Sequence, residues 1–185
     1  MAIKFKELRK YISRVARLSI YLRGDHYEDY HLISDIPEGK FDDLYLYGIG
    51  MVDVEFSKDV YVPPTESYTF NCKECFLGHA LEIVLDTEDR GIERKNENEL
   101  YFGDLRNYLQ IGRYFSVMIK GEWKTDYYVM RQDIPDRYDD MLVYGIGIED
   151  NPNAQDIELI NKFGIMDTYW TKSMTLVLED CANKS

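Results

Sequence analysis

The carboxylates that could do chemistry occur twice in the chain, at matching positions. Two or three gathered carboxylates can hold Mg²⁺ for phosphoryl chemistry, as in a metal-dependent nuclease. An Asp beside Pro and before an apolar run is also typical of turns and helix caps. Because both parts of the chain carry the same acids, a shared fold is the favoured interpretation. The residues are Asp35, Asp42 and Asp43 in the first part and Asp133, Asp139 and Asp140 in the second.

A Cys-x-x-Cys-x-x-x-His stretch, made of Cys72, Cys75 and His79, has the spacing of three zinc ligands. Cys181 could supply a fourth if the C-terminus returned to it. The second part of the chain has no equivalent stretch, so the interpretation as free cysteines in a loop is favoured. We therefore predict no metal and no cofactor. Three cysteines give no legible disulfide framework, which indicates a reducing, cytoplasmic location.

Two histidines, His26 and His31, lie near Asp25 and Asp29 and could act as a general base in a nuclease that cleaves RNA or DNA. No Ser or Cys nucleophile stands in a recognisable motif beside them. Exposed histidines on a strand are the simpler interpretation, and an enzyme remains the alternative hypothesis.

The two parts are copies of one unit. Residues 35–50 recur as residues 133–147, both beginning Asp-Ile-Pro and ending Tyr-Gly-Ile-Gly. The helical stripe of Phe5, Leu8 and Ile12 recurs 97 residues later as Phe102, Leu105 and Leu109. A match this long indicates an internal duplication.

Each copy is predicted to run helix, strand, strand, turn, strand, excursion, strand. Alternation predicts strands at 17–23, 29–34, 44–56 and 81–85, and their counterparts include 126–131 and 174–178. The excursion covers 57–79 in the first copy and holds a short helix at 154–163 in the second. We expect an α+β fold in which each repeat packs a helix on a four-stranded antiparallel sheet, with the repeats related by a pseudo-twofold axis. Repeat 1 is residues 1–86, a linker is 87–98, repeat 2 is 99–180 and a tail is 181–185.

Gly48 and Gly50 fall on one face of the third strand, and the second copy keeps both glycines. A glycine inside a strand often marks a close approach by another element. We expect the repeat's own helix to press there.

The leading helix, the two strands and the segment Asp-Ile-Pro-x-x-(x)-aromatic-x-Asp resemble small uncharacterised proteins of phages and integrative elements of Firmicutes. Those proteins usually carry one copy, so the tandem form is a departure. The resemblance implies a mobile-element origin, where small acidic proteins often disarm host defence enzymes. The residues that carry it are Phe5, Leu8, Ile12, Asp35, Ile36, Pro37, Phe41 and Asp43, repeated as Phe102, Leu105, Leu109, Asp133, Ile134, Pro135, Tyr138 and Asp140.

The net charge is −12, and because residues 1–23 carry +6, the remainder carries −18. Such a field repels nucleic acid and attracts basic proteins. Lys4, Lys6, Arg9, Lys10 and Arg14 are expected to pair with the chain's own acids or with a second protomer in a homodimer. No apolar run approaches the length of a membrane span, and no signal peptide is evident.

We therefore predict a non-enzymatic protein whose acidic, Tyr-rich surface occupies a basic nucleic-acid-binding site on another protein. An inhibitor of a host defence nuclease, of anti-CRISPR or anti-restriction type, is its most concrete form. Carboxylates would stand where phosphates bind, and tyrosines would fill apolar subsites. A module that only oligomerises is a further alternative. The predicted contact residues are Asp25, Glu28, Asp29, Tyr30, Asp42, Asp43 and Tyr45, with Asp126, Tyr127, Asp139 and Asp140 in the second copy.

Overall fold

The computed structural model describes residues 2–23, 25–56, 76–110, 114–155 and 170–181. It contains two four-stranded sheets of the same strand order, one in each repeat. The elements of repeat 1 are α1 (Phe5–Arg9), β1 (Leu18–Leu22), β2 (Asp25–Tyr30), β3 (Tyr45–Phe56) and β4 (Phe76–Asp86). Those of repeat 2 are α2 (Phe102–Arg106), β5 (Phe115–Ile119), β6 (Thr125–Tyr128), β7 (Leu142–Gln155) and β8 (Trp170–Glu179). The predicted α+β architecture of two repeated sheet units is confirmed.

The sheets are mixed, so the prediction of a purely antiparallel sheet is wrong. Repeat 1 has the order β2-β1-β4-β3, in which the two hairpins are antiparallel and the central pair β1 and β4 is parallel. Repeat 2 has the same arrangement. Sequence alternation identifies strands and short hairpins, whereas the direction of β4 beside β1 depends on how the chain returns between them.

The Asp-Ile-Pro segment carries the chain across the sheet. Because β2 and β3 are opposite edges and run in the same direction, residues 31–44 must cross from one edge to the other. Ile33, Ile36 and Phe41 of this crossover are buried in the core with Phe5 and Leu8 of α1. The apolar positions of the motif therefore cover the sheet face that the short helix leaves open.

The predicted second strands are displaced. They were expected at 29–34 and 126–131, but a 3₁₀ turn occupies Ile33–Asp35 in repeat 1 and Arg131–Asp133 in repeat 2. The acid at the end of each turn accepts a backbone N–H from three residues earlier, and this capping ends the strand.

Three further boundaries differ from the predictions. β4 begins at Phe76, inside the excursion predicted for 57–79. β7 extends to Gln155, so the first two residues of the helix predicted at 154–163 belong to a strand, and the rest of that range lies outside the described residues. The helix α1 ends at Arg9, before Ile12.

The two repeats exchange a strand-like segment. The amide of Ile49 donates to the carbonyl of Tyr108 at 2.8 Å, and the amide of Gln110 donates to the carbonyl of Ile49 at 2.9 Å. Repeat 1 reciprocates, because Ser13 and Ile146 are joined by an amide–carbonyl bond of 2.7 Å. Each segment that follows a helix thus lies along the long strand of the other repeat, as expected for a pseudo-twofold arrangement.

The glycines of β3 and β7 lie where these exchanged segments approach. A Cβ at Gly50 would stand 2.4 Å from the Gln110 side chain, and one at Gly147 would stand 3.4 Å from Ser13. The prediction of close approach is confirmed, but the expectation that the repeat's own helix makes it is wrong. A single copy of the motif gives no indication that its neighbour comes from the other repeat.

The predicted linker is tied to both repeats. The backbone of Lys95 donates to Asp104 at 2.9 Å, and the amide of Ala2 donates to Asp89 at 3.3 Å. Arg94 is almost fully buried in an ion pair with Glu7. Among the described residues, no helix is long and apolar enough to cross a membrane.

Candidate functional site

An arginine on each helix binds the crossover of its own repeat. Arg106 donates to the carbonyls of Ile134 at 2.6 Å and Pro135 at 2.9 Å, and to the carboxylate of Asp139 at 2.7 Å. Arg9 makes the equivalent bonds in repeat 1, including one to Asp42 at 3.5 Å. A guanidinium with five fixed donors is suited to collecting several carbonyls at once.

The aspartates of the motif act in the turn. Asp42 and Asp139 pair with the helix arginines, while Asp35 and Asp133 cap the 3₁₀ turns. In the part of the chain that the structure describes, no group of three or more His, Cys, Asp or Glu residues is placed to hold a metal ion. The turn interpretation accounts for these four carboxylates.

Asp43 and Asp140 lie differently, because both point into solvent. Asp43 faces Lys4 at 3.5 Å and Lys6 at 3.8 Å, and Asp140 faces Lys95 at 2.7 Å. Exposed pairs of this kind contribute about 0–1 kcal/mol, so a cation on another molecule can replace the lysine at little cost. The basic N-terminal stretch thus pairs in part with the chain's own acids.

Strand β2 divides its predicted contact residues between two faces. Glu28 and Tyr30 pair with Ile20 and Leu18 on the core face, whereas Asp29 lies on the other face and accepts the hydroxyl of Ser19 at 2.6 Å. Asp25 is exposed at the start of the strand. The acids of this strand therefore do not form one surface.

Lys40 of the crossover fills a site on the core face of repeat 1. Its ammonium bonds to the carboxylate of Glu28 and to the hydroxyl of Tyr30, and it lies 5.2–5.4 Å from the ring centroids of Tyr27, Tyr30 and Phe41. The Lys40 ammonium and the Tyr30 hydroxyl lower the pKa of Glu28. We call this arrangement, made of Lys40, Glu28, Tyr27, Tyr30 and Phe41, the lysine cage.

Repeat 2 has an equivalent carboxylate, Asp126, but an arginine instead of a lysine at the position of Lys40. Asp126 pairs with Val117 across the strands as Glu28 pairs with Ile20, and it accepts the hydroxyl of Tyr138 at 2.9 Å. Lys124 at 2.8 Å and Tyr138 lower the pKa of Asp126 by donating to it. Arg137 has the sequence position of Lys40; it donates to the hydroxyl of Tyr138 at 3.0 Å and lies 3.6 Å from the Asp126 carboxylate, with 66% of its side chain exposed against 27% for Lys40.

A cavity of about 310 Å³ is open at this position in repeat 2. Its floor is apolar and its walls carry two acids, two cations and a tyrosine. We call it the repeat-2 pocket; it is lined by Val117, Ile119, Glu122, Lys124, Asp126, Arg137, Tyr138 and Met141.

A β-bulge accounts for the difference between the repeats. In repeat 1 the pairing register shifts between Ile20 and Tyr21, which leaves Tyr27 as an extra residue that turns toward Phe41, with ring centroids 5.5 Å apart. Repeat 2 pairs residue for residue through Met118 and Thr125, so its second strand has no extra residue at this point. The space that Tyr27 and Lys40 fill in repeat 1 therefore stays open in repeat 2.

The hairpin tip of repeat 2 carries a fully exposed tryptophan, Trp123. The neighbours of Trp123 in sequence, Glu122 and Lys124, both line the repeat-2 pocket. The tip is long because β5 and β6 pair only as far as Met118 and Thr125, whereas β1 and β2 pair up to Leu22 and Asp25. Tryptophan is enriched at the hot spots of protein interfaces.

The two remaining predicted tyrosines are partly buried. Tyr127 lies on the face opposite Asp126, where burial raises the pKa of its hydroxyl. Tyr45 begins β3, and the ammonium of Lys4 lies 5.4 Å from its ring centroid.

The predicted zinc and general-base residues lie on different parts of the chain, and only some of them are described. Cys72 and Cys75 lie outside the described residues, and His79 lies within β4 opposite Asp53. Cys181 is exposed near Asp140, whose carbonyl it approaches at 3.4 Å. His26 bonds to Asp29 at 2.9 Å on an exposed strand surface, and His31 is exposed beyond the end of β2.

Comparison with known proteins gives no relative. No protein-family model, curated protein or solved structure matches the chain.

Sequence reasoning missed the residues that distinguish the two repeats. Lys40 and Arg137 stand at the same sequence position in the two copies. Only the packing shows that Lys40 fills its site, whereas a pocket remains open beside Arg137. Arg9 and Arg106 recur at the common offset, a signal that could have indicated their shared contact with the crossover. Trp123 has no counterpart at the tip of the first hairpin, which is also visible in the sequence.

Proposed function

We propose that this chain is a non-enzymatic binding protein that occupies a basic, nucleic-acid-binding site on another protein. Large aromatic side chains exposed on a strongly acidic chain carry the proposal. Trp123 is fully exposed, and Tyr27 and Tyr144 are about half exposed. Rigid aromatics supply contact area, and the acidic field speeds the approach of a basic partner.

Asp43 and Asp140 are the carboxylates best placed to meet such a partner. Their lysine partners Lys4, Lys6 and Lys95 are 30%, 52% and 51% exposed, and among the described residues neither carboxylate has another ion pair. Asp42 and Asp139 pair with the helix arginines instead, so a partner that bound them would first have to displace Arg9 or Arg106. This assignment keeps the predicted mechanism, in which carboxylates replace phosphates, and narrows the acids that perform it.

Inhibition of a nuclease or other nucleic-acid-handling enzyme of a host defence system is the concrete form of the proposal. Its support is the charge and the aromatic surface, together with the resemblance to mobile-element proteins. Occupying the basic groove would exclude the nucleic acid by competition for the same cations.

The test is competition with nucleic acid on a purified partner. Proteins captured from a bacterial lysate are identified, and one is purified with its labelled nucleic acid. We expect this chain to displace that nucleic acid, and Asp43→Lys with Asp140→Lys to weaken displacement at least tenfold and flatten its salt dependence.

Glu93→Lys with Glu97→Lys is the matched control, because it changes the net charge equally at exposed linker positions. If both double variants weaken displacement equally, net charge alone explains the inhibition and Asp43 and Asp140 have no specific role. Nucleic acid that stays bound beside this chain would refute competition for its site.

A further inference from the structure

The lysine cage and the repeat-2 pocket are the same place in two copies of one fold. In repeat 1, Lys40 fills the place with its own side chain and bonds to Glu28. In repeat 2, the equivalent carboxylate, Asp126, stands beside a cavity of about 310 Å³. Repeat 1 therefore displays, within one molecule, how this site binds a lysine.

We propose that the repeat-2 pocket receives a lysine side chain of the protein partner, in the way that repeat 1 receives Lys40. The inference rests on the proposed function and names the partner chemistry at one contact. The methylene chain would lie on Val117, Ile119 and Met141, and the ammonium would meet Asp126.

The pocket offers a lysine each kind of contact that Lys40 has. Asp126 is an ionised acceptor on the core face, and the hydroxyl of Tyr138 lies 2.9 Å from it, as that of Tyr30 lies beside Glu28. Tyr138, which lines the pocket, supplies the aromatic ring, and the guanidinium of Arg137 lies 4.9 Å from its centroid. A cavity of this volume is at the lower end of the range for ligand pockets, about 300–1,000 Å³, which suits one side chain.

The chain's own cations leave the pocket open. The side chain of Lys124 is 78% exposed and that of Arg137 is 66% exposed, and both pair with Asp126. Exposed pairs are weak and exchange readily with another cation. The overall charge of −12 further favours an incoming lysine over an acidic or neutral side chain.

The first test is a titration of the full chain with the peptide acetyl-Gly-Lys-Gly-amide, followed by the methyl NMR signals of Val117, Ile119 and Met141. We expect saturable shifts with a millimolar dissociation constant. The norleucine peptide, which has the methylene chain without the ammonium, should bind at least tenfold more weakly. Asp126→Asn should weaken the lysine peptide at least tenfold, because it removes the charge and keeps the shape.

The second test transfers the site to repeat 1. Lys40→Ala removes the internal lysine, so the lysine peptide should now also shift the signals of Ile20 and Leu44, which are the counterparts of Val117 and Met141 in repeat 1. The gain of a second site keeps the proposal testable even where a variant of repeat 2 fails to fold. Absence of this gain in a folded variant would overturn the comparison between the two sites.

Other occupants give distinct results. Equal binding of the norleucine peptide would identify an apolar pocket and overturn the proposal. Tighter binding of spermidine than of the lysine peptide would also overturn it, because the natural ligand would then be a free amine. If the peptide fails to bind while the chain still displaces nucleic acid from its partner, the pocket assignment is wrong and the proposed function stands. If the peptide binds but displacement fails, the proposed function is wrong instead.

Discussion

The exchange of segments between the repeats predicts a specific cost for Gly50→Ala. The new Cβ would stand 2.4 Å from Oε1, 2.7 Å from Cδ and 3.0 Å from Cβ of Gln110. Overpacking of this kind costs about 1–3 kcal/mol, and the lower entropy of the unfolded chain returns about 0.4–1 kcal/mol. We expect a net loss of roughly 1–2 kcal/mol, which lowers the melting temperature by about 2–8 °C for a chain of this size.

Two further variants isolate the contact, all measured by thermal and urea unfolding. Gln110→Ala in the Gly50→Ala background removes the two closest atoms and should recover most of the loss. Gly147→Ala is the matched control in repeat 2, because its Cβ would meet Ser13 at 3.4 Å, and it should leave stability within about 0.5 kcal/mol. Equal losses at Gly50 and Gly147, or no recovery with Gln110→Ala, would refute the proposed cause.

Three other predictions follow from the contacts. Arg106→Met removes a partly buried ion pair and the hydrogen bonds to three carbonyls of the crossover. Urea unfolding should therefore show that the free energy of unfolding falls by about 2–4 kcal/mol. The control Arg137→Met changes an exposed arginine and should lower it by less than about 1 kcal/mol. The pKa of Glu28 lies below its ordinary value of 4.5 because Lys40 donates to it, so its ionised form adds stability above that pH and loses it as the pH falls through the folded-state pKa. Glu28→Gln should therefore flatten the loss of stability as the pH falls below 4.5 in acid titrations followed by circular dichroism. Trp123→Ala should leave the melting temperature unchanged, because the indole is fully exposed, and should weaken partner binding in the displacement assay; a lower melting temperature would show that the indole packs in the fold.

Local patterns predicted most of the elements. The alternation of Leu18 and Ile20, and of Leu81 and Ile83, places apolar side chains on one face of a strand, and the structure buries all four. The turn chemistry of Asp35 was also legible, because an Asp that caps a turn needs only its near neighbours. Strand direction was not legible, since the parallel pairing of β1 with β4 joins residues about sixty apart.

The candidate site shows the same division. The sequence indicated acids and tyrosines on β2 and β6, and the structure divides them between the two faces of each strand. Asp126 lies on the core face and Tyr127 on the opposite one, although they are neighbours in the chain. The importance of Lys40 depends on three rings from separate positions, and no short pattern contains that information.

The sequence by itself determined that this protein is one unit written twice, with a helix, a hairpin, a crossover and long strands in each copy. Hydrophobic periodicity and the turn preferences of proline, glycine and aspartate act over a few residues. They can therefore be recognised from the sequence without knowing which segments pack together. Only the tertiary structure decided that residues 108–110 of repeat 2 lie along β3 of repeat 1, and that one bulge at Tyr27 closes a site which stays open in repeat 2. Both depend on contacts between segments that are distant in sequence. The backbone groups at a strand edge bond to whichever segment lies beside them, and the space beside a carboxylate is occupied by whichever side chain reaches it.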